Sequence, residues 1–236
     1  MKRILSMIMA AAVFSSLFLP QGLSQAKSQK VIVIDAGHQT KAMSATEPIG
    51  PGASQRKAKV TGGASGVSTH LSEYKLNLQV AKKLRTELEN RGYKVIMVRT
   101  KNNVRISNAK RAKVANRAKA DAFIRIHANS SNSRSVRGAL TIAPQSGNPY
   151  MAKKNRKKSQ DLSRCVLREF CRATGAKNRG VMYTNTMTGI NWCTVPVTIV
   201  EMGFMSNPAE DRKMASAFYQ KKMVQGIADG IDKFLK

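Results

Sequence analysis

This 236-residue chain has only three histidines and thirteen Asp plus Glu, and two of the histidines follow the same kind of segment. Val31-Ile32-Val33-Ile34 leads into Asp35-Ala36-Gly37-His38, and Ala122-Phe123-Ile124-Arg125-Ile126 leads into His127-Ala128-Asn129. A third apolar run, Val195–Val200, leads into Glu201. In an open parallel sheet, ligands bind outside the carboxyl ends of the strands. Read as strands, the three runs deliver two imidazoles and a carboxylate to one edge. Two His and one carboxylate, with a fourth position left to water, is the donor set of a catalytic zinc. Such an ion polarises a carbonyl and lowers the pKa of water from about 16 toward ~7. A second carboxylate, free of the metal, is then needed to move a proton from that water to a leaving amine. Glu201 supplies one of the two acids. Glu73, on the first turn of a predicted helix, is the preferred source of the other, and Glu47 and Asp35 compete with it. Asp35 stands at the end of a buried strand and reads better as a structural acceptor. His70, three residues before Glu73, reads as an exposed loop residue.

The elements that must position these groups alternate along the chain. Val31–Ile34 is short, apolar and β-branched, as in a parallel strand buried on both faces. Residues 38–72 read as a long polar loop with Gly50, Gly52, Gly62, Gly63 and Gly66, of the length that is usually functional or disordered. Leu76, Val80, Leu84 and Leu88 at spacing four predict a helix over 73–91, stopped at Gly92. Then follow a strand at 93–98, a helix over about 104–119 and a strand at 122–126. Beyond them a strand is possible at 138–143, and 148–159 reads as a basic connection rich in breakers. A helix is expected over 160–174, a strand at 195–200 and one or two helices over 208–234. The order β-α-β-α-β predicts an α/β fold, a single domain whose mostly parallel sheet carries helices on both faces.

Charge and the amino terminus narrow the partners. The 41 Lys plus Arg against 13 Asp plus Glu give +28, with hydrophobic residues at 42%. That composition excludes a disordered basic tail and admits nucleic acid, an anionic membrane surface or an acidic polymer such as a cell wall. Lys2 and Arg3, the apolar run Ile4–Leu19 and Ser24-Gln25-Ala26 read as a cleaved signal peptide over 1–26, with an uncleaved anchor as the alternative. Removal leaves 39 basic and 13 acidic residues, or +26. Export to the wall or the outer side of the membrane weighs against nucleic acid and for an envelope polymer. No later segment is apolar enough to span a bilayer. Residues 81–119 hold 13 Lys or Arg and residues 134–179 hold 12, enough to hold the protein on phosphate-rich wall polymers by counterion release. Cys165, Cys171 and Cys193 are an odd number, so the choice is three thiols or one bridge to Cys193.

Taken together, Val31–His38, Glu73 followed by Leu76-Asn77-Leu78, Arg111 with Ala115-Asn116, Ile126–Asn129 and Pro196–Asn207 resemble the zinc-dependent N-acetylmuramoyl-L-alanine amidases of bacterial cell walls. The resemblance spans roughly residues 30–233, so a catalytic domain over 27–236 is expected. It implies one zinc ion held by His38, Glu73 and His127, with Glu201 as the catalytic carboxylate. It also implies a mixed six-stranded sheet flanked by helices, and hydrolysis of the amide joining N-acetylmuramic acid to the first L-alanine of peptidoglycan. Exchange of the two glutamates is the alternative assignment. The rival functions are a related zinc peptidase of the wall, a catalytically silent basic wall-binding module, and a nucleic-acid binder. A monomer acting on peptidoglycan is expected.

The chain departs from that family at several positions. Ala36 and Gln39 stand where the family usually has Pro and Gly. Arg125 stands where a small serine is common, and either pairs with a buried acid or reaches substrate. Trp192, the only tryptophan, fills core or stacks on a sugar ring, with core the preferred reading. Asn129 is expected to cap or orient the segment carrying His127.

Overall fold

In the computed structural model, residues 29–236 are described; the expected signal peptide lies outside them. The elements are β1 (Val31–Ala36), β2 (Met43–Pro48), β3 (Arg56–Val60), α1 (Glu73–Asn90), β4 (Lys94–Met97), α2 (Asn108–Arg117) and β5 (Ala122–Asn129). They continue with β6 (Ala139–Pro144), α3 (Lys153–Thr174), β7 (Asn178–Thr184), α4 (Thr188–Asn191), β8 (Val197–Phe204), α5 (Pro208–Ala215) and α6 (Ala217–Leu235). Six strands form one sheet in the order β4-β1-β5-β8-β6-β7. The first four are mutually parallel. β6 runs antiparallel to β8 and carries β7 parallel to itself. The sheet is therefore mixed and mostly parallel, as expected.

Strand parity divides the core. Ile32 and Ile34 of β1, with Ile124 and Ile126 of β5, meet Leu76, Val80, Leu84 and Leu88 of α1 and the apolar faces of α3 and α6. Val33, Phe123, Val197 and Ile199 point the other way and meet Ala112 and Ala115 of α2 and Ile190 of α4. Helices thus cover both faces, and Ile32, Val33 and Ile34 are all fully buried, which explains why this part of β1 is apolar without alternation. Among the described residues no helix is long and apolar enough to cross a membrane.

Four expectations need correction. Residues 38–72 are not a structureless loop, because β2 and β3 pair there as an antiparallel hairpin. Both strands are largely exposed, with Glu47 and Val60 their buried residues, so no hydrophobic alternation marked them. Helix α3 begins at Lys153 rather than 160; the breakers Gly147 and Pro149 precede it, and Lys and Arg are good helix formers on a wet face. Strand β7 and the short helix α4 were not expected. Finally, β5 and β8 extend through His127 and Glu201, which sit within their strands, three residues or fewer before the end, rather than beyond them. All three cysteines are free, Cys193 buried and the other two partly so, which excludes the bridge to Cys193.

Candidate metal centre and active site

The carboxyl ends of β1, β5 and β8 lie side by side, with His127 and Glu201 in register. Both side chains fall on the parity of Phe123 and Val197, the face covered by α2 and α4. β1 ends one residue before Gly37, and His38 follows with φ +58. That left-handed conformation costs a non-glycine residue of order 1 kcal/mol and persists where surrounding bonds over-determine it. Arg111 supplies several of those bonds: its guanidinium donates to the carbonyls of Ala36 and His38, each at 3.0 Å, and to Gln39 Oε1 at 2.9 Å. Arg99 donates to the Ala36 carbonyl at 2.7 Å, the Gly37 carbonyl at 3.0 Å and the Tyr74 carbonyl at 2.8 Å, tying this turn to α1.

Glu73 enters from the opposite side as the first residue of α1. Its Oε2 accepts from the Ala64 amide at 2.9 Å, and its Oε1 from the Ala128 amide and Asn77 Nδ2, each at 3.2 Å. The same Oε1 lies 3.2 Å from His38 Nε2 and 3.1 Å from His127 Nδ1. One donor atom from each of His38, Glu73 and His127 falls within 4.8 Å of the others. The His38 Nδ1–H donates to the Thr61 carbonyl at 2.9 Å, which leaves Nε2 as the nitrogen free to ligate, the usual outer-sphere arrangement of a metal-bound imidazole. His127 Nε2 and Glu201 Oε2 are buried and have no hydrogen-bond partner among the described residues. Orphaned buried acceptors are costly, and a cation beside them would satisfy the deficit. The donor set therefore fits a divalent metal, with chemistry suited to zinc.

The electrostatics separate the two glutamates. Burial raises the Glu73 pKa, but the hydrogen bonds and charges of His127 and His38 outweigh it and hold the carboxyl well below its ordinary value. Burial also works against the charged form of His38, and Glu73 reverses this, leaving the imidazole above its usual pKa. His127 moves the other way, down to about 4, because its burial exceeds the help from Glu73. Glu201 is raised to about 8 by burial and by the charge of Glu73, with Arg125 opposing. Glu73 is thus an anion held among donors, and Glu201 is a buried carboxyl whose protonated form is favoured in the metal-free site.

The remaining sequence candidates lie elsewhere. Asp35 is fully buried and accepts from Arg111 at 2.6 Å and Arg125 at 3.0 Å, a structural acceptor as expected. Arg125 thus pairs with a buried acid. Glu47 accepts from the Ala109 amide at 3.0 Å in the first turn of α2. His70 is exposed. Trp192 is partly buried against the α2/α4 core, its indole N–H donating to the Pro48 carbonyl at 2.9 Å. Asn129 Oδ1 accepts from the Ser130 amide at 2.7 Å, orienting the segment after His127. Sequence reasoning missed Thr61, whose carbonyl fixes the His38 tautomer; a backbone acceptor from a polar loop leaves no signal in residue type. It also gave Gly37 no role, although His127 packs directly against it.

A cleft of about 520 Å³ opens over these groups, walled by Thr61–Ala64 and Ala128–Ser130. With this geometry in place, comparison with known proteins is specific. Residues 32–233 match the sequence model of a family described as N-acetylmuramoyl-L-alanine amidase. The chain is 29% identical over 167 residues to the N-acetylmuramoyl-L-alanine amidase LytC of Bacillus subtilis, covering 71% of this chain and 32% of that protein. It spans about a third of that relative's length. Among solved structures, the catalytic domain of the amidase CwlV from Bacillus (Paenibacillus) polymyxa var. colistinus is 31% identical, with TM-score 0.71, covering 88% of this chain and 98% of the other. The amidase Ami1 of Mycobacterium smegmatis shares the fold at TM-score 0.79 and 21% identity, covering 87% of this chain and 96% of the other. This chain belongs to the N-acetylmuramoyl-L-alanine amidase family.

Proposed function

We propose that the chain is a zinc-dependent amidase that cuts the amide between N-acetylmuramic acid and L-alanine in peptidoglycan. The observation that carries this reading is the convergence of His38, Glu73 and His127 within 4.8 Å, at the strand edge that also bears Glu201. In it, His38 Nε2, a Glu73 oxygen and a His127 ring nitrogen would hold the metal beside the cleft. Zinc supplies a Lewis acid toward the scissile carbonyl and toward water. Glu201 takes a proton from the attacking water as the C–O bond forms. It passes that proton to the alanine nitrogen as the C–N bond breaks, giving a lactyl carboxylic acid and a free amine. Burial and the charge of Glu73 shift the Glu201 carboxyl upward in the metal-free site, the direction that brings a carboxyl toward a working pH suited to proton shuttling.

We further infer that residues 1–26 direct export and that the basic faces hold the enzyme on anionic wall polymers. The net charge of +28 supports that reading, as does the naming of several relatives as cell wall amidases. Zinc content and fragment analysis test the activity together. The zinc-loaded protein should release fragments bearing a free muramic lactyl carboxyl and a free alanine amine. Fragments cut only within the peptide would identify a zinc peptidase instead, and a metal-free, inactive protein that still binds walls would identify a binding module.

A further inference from the structure

A second cavity, about 470 Å³, opens off the metal-binding cluster on the α2/α4 side of the sheet. It shares His38, Thr61, His127 and Glu201 with the cleft already described. Its wall is apolar at Ile142, Met187 and Ile199, and cationic at the buried Arg125 and at the exposed Lys57 on its rim. Arg125 is 3% exposed. Its Nε donates to Asp35 Oδ2 at 3.0 Å and its Nη2 to Asn108 Oδ1 at 2.8 Å. Its Nη1 has no hydrogen-bond partner among the described residues. Arg111 already engages the other Asp35 oxygen at 2.6 Å. One buried carboxylate is thus shared by two buried guanidiniums. Gly189 makes the placement of Nη1 possible, because a Cβ there would lie 1.9 Å from it.

We propose that Arg125 is a specificity-determining residue whose Nη1 receives a carboxylate of the peptide part of the substrate. This rests on the amidase reading above. Around the cut amide, the sugar side offers neutral hydroxyl and acetamido groups, while the peptide side offers carboxylates. A desolvated guanidinium that shares its carboxylate with a second arginine and keeps an open donor discriminates strongly between these. The nearest free carboxylate on the peptide side is the α-carboxylate of the second stem residue, which is either a free acid (D-glutamate) or amidated (D-isoglutamine). Arg125 selects the free acid, and the apolar wall receives the intervening methyl and methylene groups.

The test compares kcat/KM of the zinc-loaded protein on N-acetylmuramoyl-L-alanyl-D-glutamate and on N-acetylmuramoyl-L-alanyl-D-isoglutamine. A preference for the acid of about tenfold or more is expected, the scale of a hydrogen bond to a charged group. Arg125→Gln should bring the ratio to about one and Arg125→Lys should restore part of it. Gly189→Ala, which displaces the guanidinium without removing its charge, should lower it. General damage to the fold slows both substrates alike, so the ratio separates recognition from stability. Equal rates in the wild type, or a preference that survives Arg125→Gln, would overturn the proposal. If the wild type hydrolyses neither substrate, the amidase reading fails, and calorimetry with L-alanyl-D-glutamate and L-alanyl-D-isoglutamine decides the subsite separately. Tighter binding of the acid, lost in Arg125→Gln, sustains it; equal binding refutes it.

Discussion

The imidazole of His127 fills the space beside the α-carbon of Gly37: a Cβ there would lie 2.2 Å from Cε1 and 2.3 Å from Nε2 of the ring. The Gly37 amide also donates to the Ile126 carbonyl at 2.9 Å, fixing the two backbones side by side. The absence of a side chain on one strand end thus positions a metal-binding group on the next. Gly37→Ala should keep the fold by circular dichroism and displace the ring. Zinc affinity should fall by about 10-fold to 100-fold, the range seen when a ligand loses its outer support, and zinc titration would measure it.

The two glutamates should separate by substitution. Glu201→Gln is expected to retain zinc and lose turnover by ~10²-fold or more, whereas His127→Ala should lose both. His70→Ala should leave both intact, since that side chain is exposed. Metal analysis beside turnover on a soluble muramoyl peptide distinguishes the cases; zinc loss in Glu201→Gln would show that the roles of Glu73 and Glu201 are exchanged.

Acid stability should depend on Asp35. Burial alone would raise its pKa, but the charges of Arg111 and Arg125 outweigh burial and hold it well below the ordinary carboxylate range. A group with a depressed folded pKa contributes stability that is fully present above the unfolded value, about 3.9, and lost as the pH falls below it. Denaturant melts at stepwise lower pH should therefore show stability declining below about pH 4. Asp35→Asn should cost about 3–5 kcal/mol at pH 7 by leaving two buried arginines unpaired and should flatten that acid limb.

Binding to walls and turnover should respond differently to salt. With +28 formal charge, retention on an anionic polymer releases counterions, so it should weaken steeply as salt rises. Turnover on small soluble fragments should change little over the same range. Sedimentation with purified walls and a fragment assay at matched ionic strengths check this; parallel losses would place the basic faces in catalysis rather than retention.

Much of this was legible in the residues themselves. Val31–Ile34 is apolar throughout and Ala122–Ile126 is apolar except at Arg125, because both sheet faces are dry, and Leu76 to Leu88 at spacing four mark the face of α1 that packs on them. Such patterns depend on burial periodicity, so they survive in the bare sequence and bring His38, His127 and Glu201 to one edge. The hairpin β2–β3 was not legible, because strands wet on both sides carry no alternation. Nor did the sequence separate the two outcomes for Arg125: the pairing with Asp35 and the open Nη1 follow from strand register and from a glycine 64 residues away. The same holds for the roles of Glu73 and Glu201. Both are glutamates near apolar segments, and only the folded arrangement surrounds Glu73 with two imidazoles and two backbone amides while leaving Glu201 Oε2 buried without a partner among the described residues. Residue type and local spacing determined which groups could do the chemistry; desolvation and neighbouring charge, which exist only once distant segments meet, decided how each would titrate.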